Sequence, residues 1–272
     1  MNDAPSIRKG RAAMRLIDLS APVDASGWEP EPVKHTVMSA AEGARHMTDG
    51  MRKNFGIDLR PEELPGGEFL TNDMLYLSSH TGTHVDAPAH YGTRADGQVA
   101  RTIDEMPLDW FDRPAFVLDV RDTAGRTVDA AAVELALKAI DYRPQPMDIA
   151  LFRTGAAEWA GSQRYFTDFI GLDGSAVRYL MDLGVRVIGT DAFSLDAPFG
   201  AIIEKYRATG DPGVLWPAHF AGREREYCQI ERLSNLEALP APHGFSVTCF
   251  PVKIRGGGAG WTRAVARVAD PE

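Results

Sequence analysis

Apolar and polar positions first alternate in RLIDLSAP, residues 15–22, where Leu16, Asp18 and Ser20 interleave with Ile17 and Leu19 until Pro22 ends the pattern. A period of two over so short a run predicts a strand. From 23 to 72 no strand period is visible, and Pro30, Pro32, Pro61 and Pro65 interrupt any long regular element. Inside that stretch MSAAEGARHMTDGMRKNFG, 38–56, has a helical pattern with Met38, Ala41, Met47, Met51 and Phe55 as its apolar set. Two readings fit the stretch. It is a surface helix under a long loop, or a flap over an active site, because long excursions in compact domains often carry function.

The periods are clearer further on. MLYLSS (74–79) reads as a strand running straight into residues 80–90, and AFVLDV (115–120) as another. TVDAAAVELALKAI (127–140) predicts a helix with Thr127 as its N-cap. MDIALFRT (147–154) is strand-like, SAVRYLMDLGV (175–185) predicts a helix stopped at Gly184, and VRVIGTD (185–191) predicts a buried strand. YCQIERL, FSVTCFPVKI and TRAVARV add three strand candidates towards the C-terminus. Strands alternate with helices in the middle while strand-rich stretches flank both ends. That mix predicts a single α/β or α+β domain over 15–272, not a doubly wound sheet.

Composition narrows the class. Hydrophobic residues make up 44 % of 272, enough for a sizeable core, and the net charge is −9. An acidic chain is poorly suited to nucleic acid or an anionic membrane, so a small-molecule partner is expected. Residues 1–14, MNDAPSIRKGRAAM, are basic with no apolar stretch behind them. They read as a flexible N-terminal arm, neither a secretory signal nor a span. Cys228 and Cys249 are the only cysteines, which suits a reducing compartment and makes the cytoplasm the expected location. GGGAG, 256–260, lacks the Lys-Ser/Thr of a phosphate loop and is expected to be a mobile turn.

One run stands apart. SSHTGTHVDAPAHYG, 78–92, gathers His80, His84, Asp86 and His90, three of the seven histidines and a carboxylate. On a helix Asp86 would lie off the face shared by His80 and His84, and Gly82 and Pro88 disfavour a helix. In an extended chain all four share one parity, with Thr81, Thr83, Val85, Ala87 and Ala89 behind them. A straight strand would hold the His80 and His84 Cα atoms about 13 Å apart, too far for one ion, unless the chain bends at Gly82. Two imidazoles and one carboxylate aimed at a point suit zinc or manganese better than calcium or magnesium, with coordination left open for water or substrate. His90 fits as a fourth ligand or, better, as a base beside the ion.

HTGTHVDAPAH resembles the His-x-Gly-Thr-His-x-Asp-x-Pro-x-His signature of the metal-dependent cyclase superfamily, which includes kynurenine formamidases, isatin hydrolases and aromatic polyketide cyclases. The likeness extends to RLIDLSAPV, to VIGTDAFSLDAP (187–198), to AHFAGREREYCQIERLSNLEAL (218–239) and to PVKIRGGGAGWTRAVA. The resemblance implies a β-rich core, swivelling β/β/α-like and partly barrel-shaped, flanked by helices, and a homodimer or larger homo-oligomer. It implies His80, His84 and Asp86 as metal ligands and His90 as catalytic acid/base. His219 and Glu231 stand where two-metal members complete a second site with Asp86 bridging, so one or two ions are expected. Asp191 and Asp196 fit either ordinary turn roles or acceptors that orient an imidazole. The extended segment 23–72 looks most like the polyketide cyclase branch, which implies aldol-type ring closure and dehydration in secondary metabolism. There the metal would act as Lewis acid and His90 as base. The alternative is an amide hydrolase of the arylformamidase or isatin hydrolase type. A metal-binding pathway protein without turnover is the third reading.

Overall fold

The computed structural model describes residues 14–31 and 33–269. The expected arm lies outside those residues except for Met14, which opens the first strand. Contacts divide the chain into two compact units, residues 24–78 and the remainder.

Eleven strands and six helices frame the site and its surroundings. The strands are β1 (Met14–Asp18), β2 (Lys34–Met38), β3 (Asn72–Tyr76), β4 (His84–Asp86), β5 (Asp112–Asp119), β6 (Ile149–Arg153), β7 (Val187–Thr190), β8 (Cys228–Glu231), β9 (Phe245–Thr248), β10 (Ala259–Trp261) and β11 (Val265–Ala269). The helices are α1 (Ala40–Phe55), α2 (Pro88–Tyr91), α3 (Ala130–Ala139), α4 (Gly174–Asp182), α5 (Phe199–Thr209) and α6 (Pro217–Glu224).

In the larger unit nine strands form one sheet in the order β1-β11-β9-β5-β6-β7-β8-β4-β10. The four central strands, β5 to β8, run parallel, and the pairings outside them are antiparallel. The sheet curls into a half-barrel with helices outside it, the mixed α/β class expected from the sequence. Both faces of the centre are covered, which explains why β6 and β7 read as unbroken apolar runs. Ile149, Leu151 and Val187 enter the inner core with Ile17, Val85, Phe245 and Val247. Ala150, Phe152 and Ile188 enter the outer core under α3, α4 and α6 with Val133, Val177, Leu180 and Ala218.

Several local expectations are corrected. The N-cap of α3 is Asp129, whose side chain accepts from Ala132 N at 2.8 Å, while Thr127 and Val128 pair with Gly171 and Leu172. From the residue directly before the helix, the Asp129 carboxylate reaches the free N–H of the third helical residue in the first turn, whereas Thr127 lies two residues too early to do so. Strand β3 stops at Tyr76 and pairs with β2, so it does not run into the histidine segment. The Gly-rich run is no mobile turn. Gly257 O and Gly258 O accept from Ile103 N and Ala87 N at 2.8 Å each, and Ala259 begins the edge strand beside β4.

In the smaller unit the helix its pattern predicts is present as α1, which has the Ser39–Glu42 capping box and ends at Gly56 in the left-handed region. Its buried residues are Gly43, Ala44 and Thr48, not the expected apolar set, and Phe55 is exposed. A Cβ on Gly43 would lie 2.1 Å from Leu70 O, so the close approach of that chain selects the buried face. Among the described residues, no helix is long and apolar enough to cross a membrane.

Candidate metal centre

Strand β4 lies between β8 and β10, with Glu231 opposite His84 and Gln229 opposite Asp86. Directly opposed residues share a face, so His84, Asp86, Gln229 and Glu231 project together while Val85 and Ile230 point into the inner core. The chain reaches β4 through Gly82, whose φ of 68° is the left-handed region that glycine tolerates. That turn brings His80 back over the strand. His80 Nδ1 lies 2.9 Å from Asp86 Oδ1 and 3.3 Å from His84 Nε2, and His84 Nε2 lies 3.3 Å from Asp86 Oδ1. His84 Nδ1 faces the Gly82 carbonyl at 2.9 Å. A carbonyl only accepts, so Nδ1 carries the hydrogen and Nε2 presents a bare lone pair to the centre.

The rest of the cluster arrives from distant chain. His219 projects from the first turn of α6, with Nε2 3.8 Å from Glu231 Oε1, and Glu231 Oε2 is 3.7 Å from His84 Nε2. Ser194 Oγ and Leu195 N donate to Glu231 Oε1 at 3.2 and 2.7 Å. Asp196 accepts from Ala218 N, His219 N and His219 Nδ1 at 2.8, 3.0 and 2.5 Å. Asp191 takes the turn role instead, accepting from Thr154 N and Gly155 N at 2.7 and 2.9 Å. His90 stands on α2, exposed at the rim, its ring centroid 4.3 Å from His80 and 5.5 Å from His219. The parity argument therefore stops at Ala87: Pro88 at the first helical position starts α2 and a helical turn, not an extended chain, presents His90.

Two groups of ligand atoms lie within 4.8 Å of one another, His80–His84–Asp86 and Asp86–His90–His219, so Asp86 belongs to both. Around a tetrahedral ion with bonds of about 2.0–2.1 Å, adjacent ligand atoms are separated by roughly 3.3–3.4 Å, and in an octahedral one by about 2.9 Å. The three edges of the first group, 2.9, 3.3 and 3.3 Å, fall in that range. Both Asp86 oxygens are fully buried and accept no hydrogen bond, although His80 Nδ1 and His84 Nε2 approach Oδ1 to 2.9 and 3.3 Å. A buried carboxylate left so is costly unless a cation meets it. The donor set fits a divalent ion.

The electrostatics agree. Burial alone would raise Asp86, but the facing His84 and His80 hold it well below the usual carboxylate range. Burial and the Asp86 charge push Glu231 up, against the pull of His219. Burial would lower His80 and His219, yet Asp86 raises the first and Asp196 raises the second to about 9. Burial, helped by the neighbouring imidazoles, lowers His90 to about 4, with Asp86 opposing.

All six residues singled out in the sequence are brought into this one cluster. Others were not legible. Tyr91 donates to Asp86 O at 3.2 Å and stacks on Tyr227, whose hydroxyl donates to Ala218 O at 2.6 Å. Gly222 permits that packing, since a Cβ there would sit 2.3 Å from Tyr91 Cδ2. Tyr91 next to His90 was visible as a neighbour, but nothing in the spacing pairs it with residue 227.

A model of the family described as "Putative cyclase" matches residues 17–197. The kynurenine formamidase of Salinibacter ruber is 31 % identical over 206 residues, covering 72 % of this chain and 80 % of that one. Among solved structures, an isatin hydrolase bound to the product analogue thioisatinate superposes with TM-score 0.71 at 19 % identity, covering 94 % of this chain and 93 % of the other. Isatin hydrolase A from Ralstonia solanacearum gives 0.70 at 23 %, covering 94 % and 92 %. With its family model, its sequence relatives and its fold in agreement, the chain belongs to the metal-dependent cyclase superfamily and is an enzyme of that superfamily.

Proposed function

We propose that this enzyme hydrolyses a small aryl N-acyl or cyclic amide, with His80, His84 and Asp86 holding one divalent ion and Asp86, His219 and Glu231 a second. Zinc or manganese suits a set of imidazole nitrogens and carboxylate oxygens. The observation that carries the reading is the fully buried Asp86 carboxylate, which accepts no hydrogen bond and is common to the groups His80–His84–Asp86 and Asp86–His90–His219, with Glu231 Oε1 3.8 Å from His219 Nε2. The kinship with kynurenine formamidase supports hydrolysis. The sequence-based preference for polyketide ring closure gains no support from these relatives; the amide-hydrolase alternative does.

A divalent ion bound here would polarise the amide carbonyl and make water more acidic. The chain does the rest. His84, pinned by Gly82 O, and His219, pinned by Asp196, keep their lone pairs on the centre. His90, at the open rim, takes the proton from the attacking water and returns it to the departing nitrogen, so that amide plus water gives carboxylate and amine. Tyr91 and Tyr227 close the floor against solvent.

Purified enzyme is to be assayed with N-formylkynurenine and with isatin, with and without chelator. Chelator-sensitive turnover of either is expected. Failure on both by zinc- or manganese-loaded enzyme would overturn the hydrolase reading and return ring closure as the better one.

A further inference from the structure

Asp196 sits on the loop after β7 and is fully buried. Helix α6 begins at Trp216, which offers its helix no side-chain cap. The vacant backbone donors of the first turn, Ala218 N and His219 N, are met by the two oxygens of Asp196 across the fold. The same carboxylate faces His219 Nδ1 at 2.5 Å. Two backbone N–H groups require acceptors from Asp196, so the carboxylate is an acceptor throughout and the ring nitrogen facing it donates. His219 Nε2 is then the ring atom that turns towards Glu231 and Asp86. Its counterpart on the strand side is the Gly82 carbonyl behind His84, which is local and cannot be lost by a side-chain change.

We propose that Asp196 is a positioning residue that keeps the Nδ1–H of His219 turned away from the centre, and that the His219–Glu231 half takes up its ion only while that hold persists. The inference rests on the two-ion reading given above. Gly171 is part of the same device. A Cβ there would lie 2.2 Å from Asp196 C and 2.3 Å from its carbonyl oxygen, so only glycine lets the Asp196 backbone sit where it does. Asp191 is the natural control. It is another buried carboxylate of the same loop, bonded to backbone N–H groups, but it faces no imidazole.

The test is made on the zinc-loaded protein and needs no substrate. Calorimetric titration with Zn2+ of wild type, Asp196→Ala and Asp191→Asn is expected to show two ions in wild type and in Asp191→Asn. Asp196→Ala should keep the first ion unchanged and bind the second roughly ten- to a hundred-fold more weakly. Acetate, a free carboxylate for the vacated space, should restore part of that loss. In 15N-labelled wild type the His219 ring, assigned by loss of its signal in His219→Gln, should show a slowly exchanging Nδ1–H, absent in Asp196→Ala. If neither Asp196 variant nor Gly171→Ala folds, the wild-type ring spectrum still decides. The proposal falls if His219 binds zinc through Nδ1, if wild type takes up a single ion, if Asp196→Ala loads both ions as wild type does, or if Asp191→Asn loses the second ion equally. Absence of amide hydrolysis, by contrast, would sink the functional reading and leave these ion titrations standing.

Discussion

The two halves of the proposed centre are built in opposite ways. His80, His84 and Asp86 come from one short stretch whose own backbone does the positioning: the left-handed turn at Gly82, its carbonyl behind His84, and strand β4. His219 and Glu231 come from a helix start and a strand end far along the chain, and each is held by groups from the loop after β7. A local half needs only that one strand be paired. An assembled half needs β7, β8, α6 and the 191–198 loop in place together, so its geometry depends on more of the fold.

The largest expected effect removes the one residue the halves share. Asp86→Ala should abolish uptake of both ions and lower turnover roughly a thousand-fold or more, since several kcal/mol of charge stabilisation is lost with the ions. His84→Ala, in comparison, should spare uptake at the His219 side. Metal content by elemental analysis beside the rate decides; an Asp86→Ala enzyme that kept one ion would mean that the halves do not meet at this carboxylate. Next in size, His90→Ala should leave both ions bound and lower the rate about 10²- to 10⁴-fold, the contribution of a positioned acid/base. Loss of an ion with His90 would make it a ligand, as its place within reach of Asp86 and His219 also permits.

The contrast also explains what was legible in the sequence. The strand half is written in consecutive letters: ligand types, parity and the glycine at the bend all fall within residues 80–86. The buried central strands β6 and β7 were legible for a similar reason, as unbroken apolar runs. His219 and Glu231 had no such local mark, and only the likeness to a family singled them out. Asp191 and Asp196 look alike in sequence, five residues apart on one loop, and only the fold gives one a turn to cap and the other an imidazole to hold. Helix α5, with no strong period, was not foreseen at all. In the 24–78 unit the helix was foreseen but not its buried face, because the close approach of Leu70 to Gly43 is a contact that no periodicity encodes.

A smaller effect probes the local half through its backbone. Gly82→Ala places a side chain at φ 68° and a Cβ 3.1 Å from Val23 Cγ2. The left-handed conformation costs an alanine about 1–2 kcal/mol, so the melting temperature should fall by a few degrees. Ion uptake at the His80–His84 side should weaken while the His219 side is unchanged. Equal weakening at both sides would show that the halves are not independent.

The smallest effect is electrostatic and lies under the assembled half. Asp191 is buried, and burial raises its pKa although Thr154 and Gly155 donate to it. Its charged form is therefore less favoured in the folded chain than in the unfolded one, where an aspartate titrates near 3.9. The sign follows: whatever stability this difference contributes is complete below the unfolded value and is lost as pH rises through the raised folded value. Exposed carboxylates such as Asp18, held down by Arg263, change stability in the opposite sense, so the wild-type profile alone is ambiguous. The difference between wild type and Asp191→Asn removes that background. In urea unfolding of both proteins at steps upward from pH 4, wild type should lose stability relative to the variant as pH rises. A difference of the opposite slope would mean that the Thr154–Gly155 hydrogen bonds outweigh burial, and that the loop carrying the assembled half is locked by a charge and not merely tolerant of one.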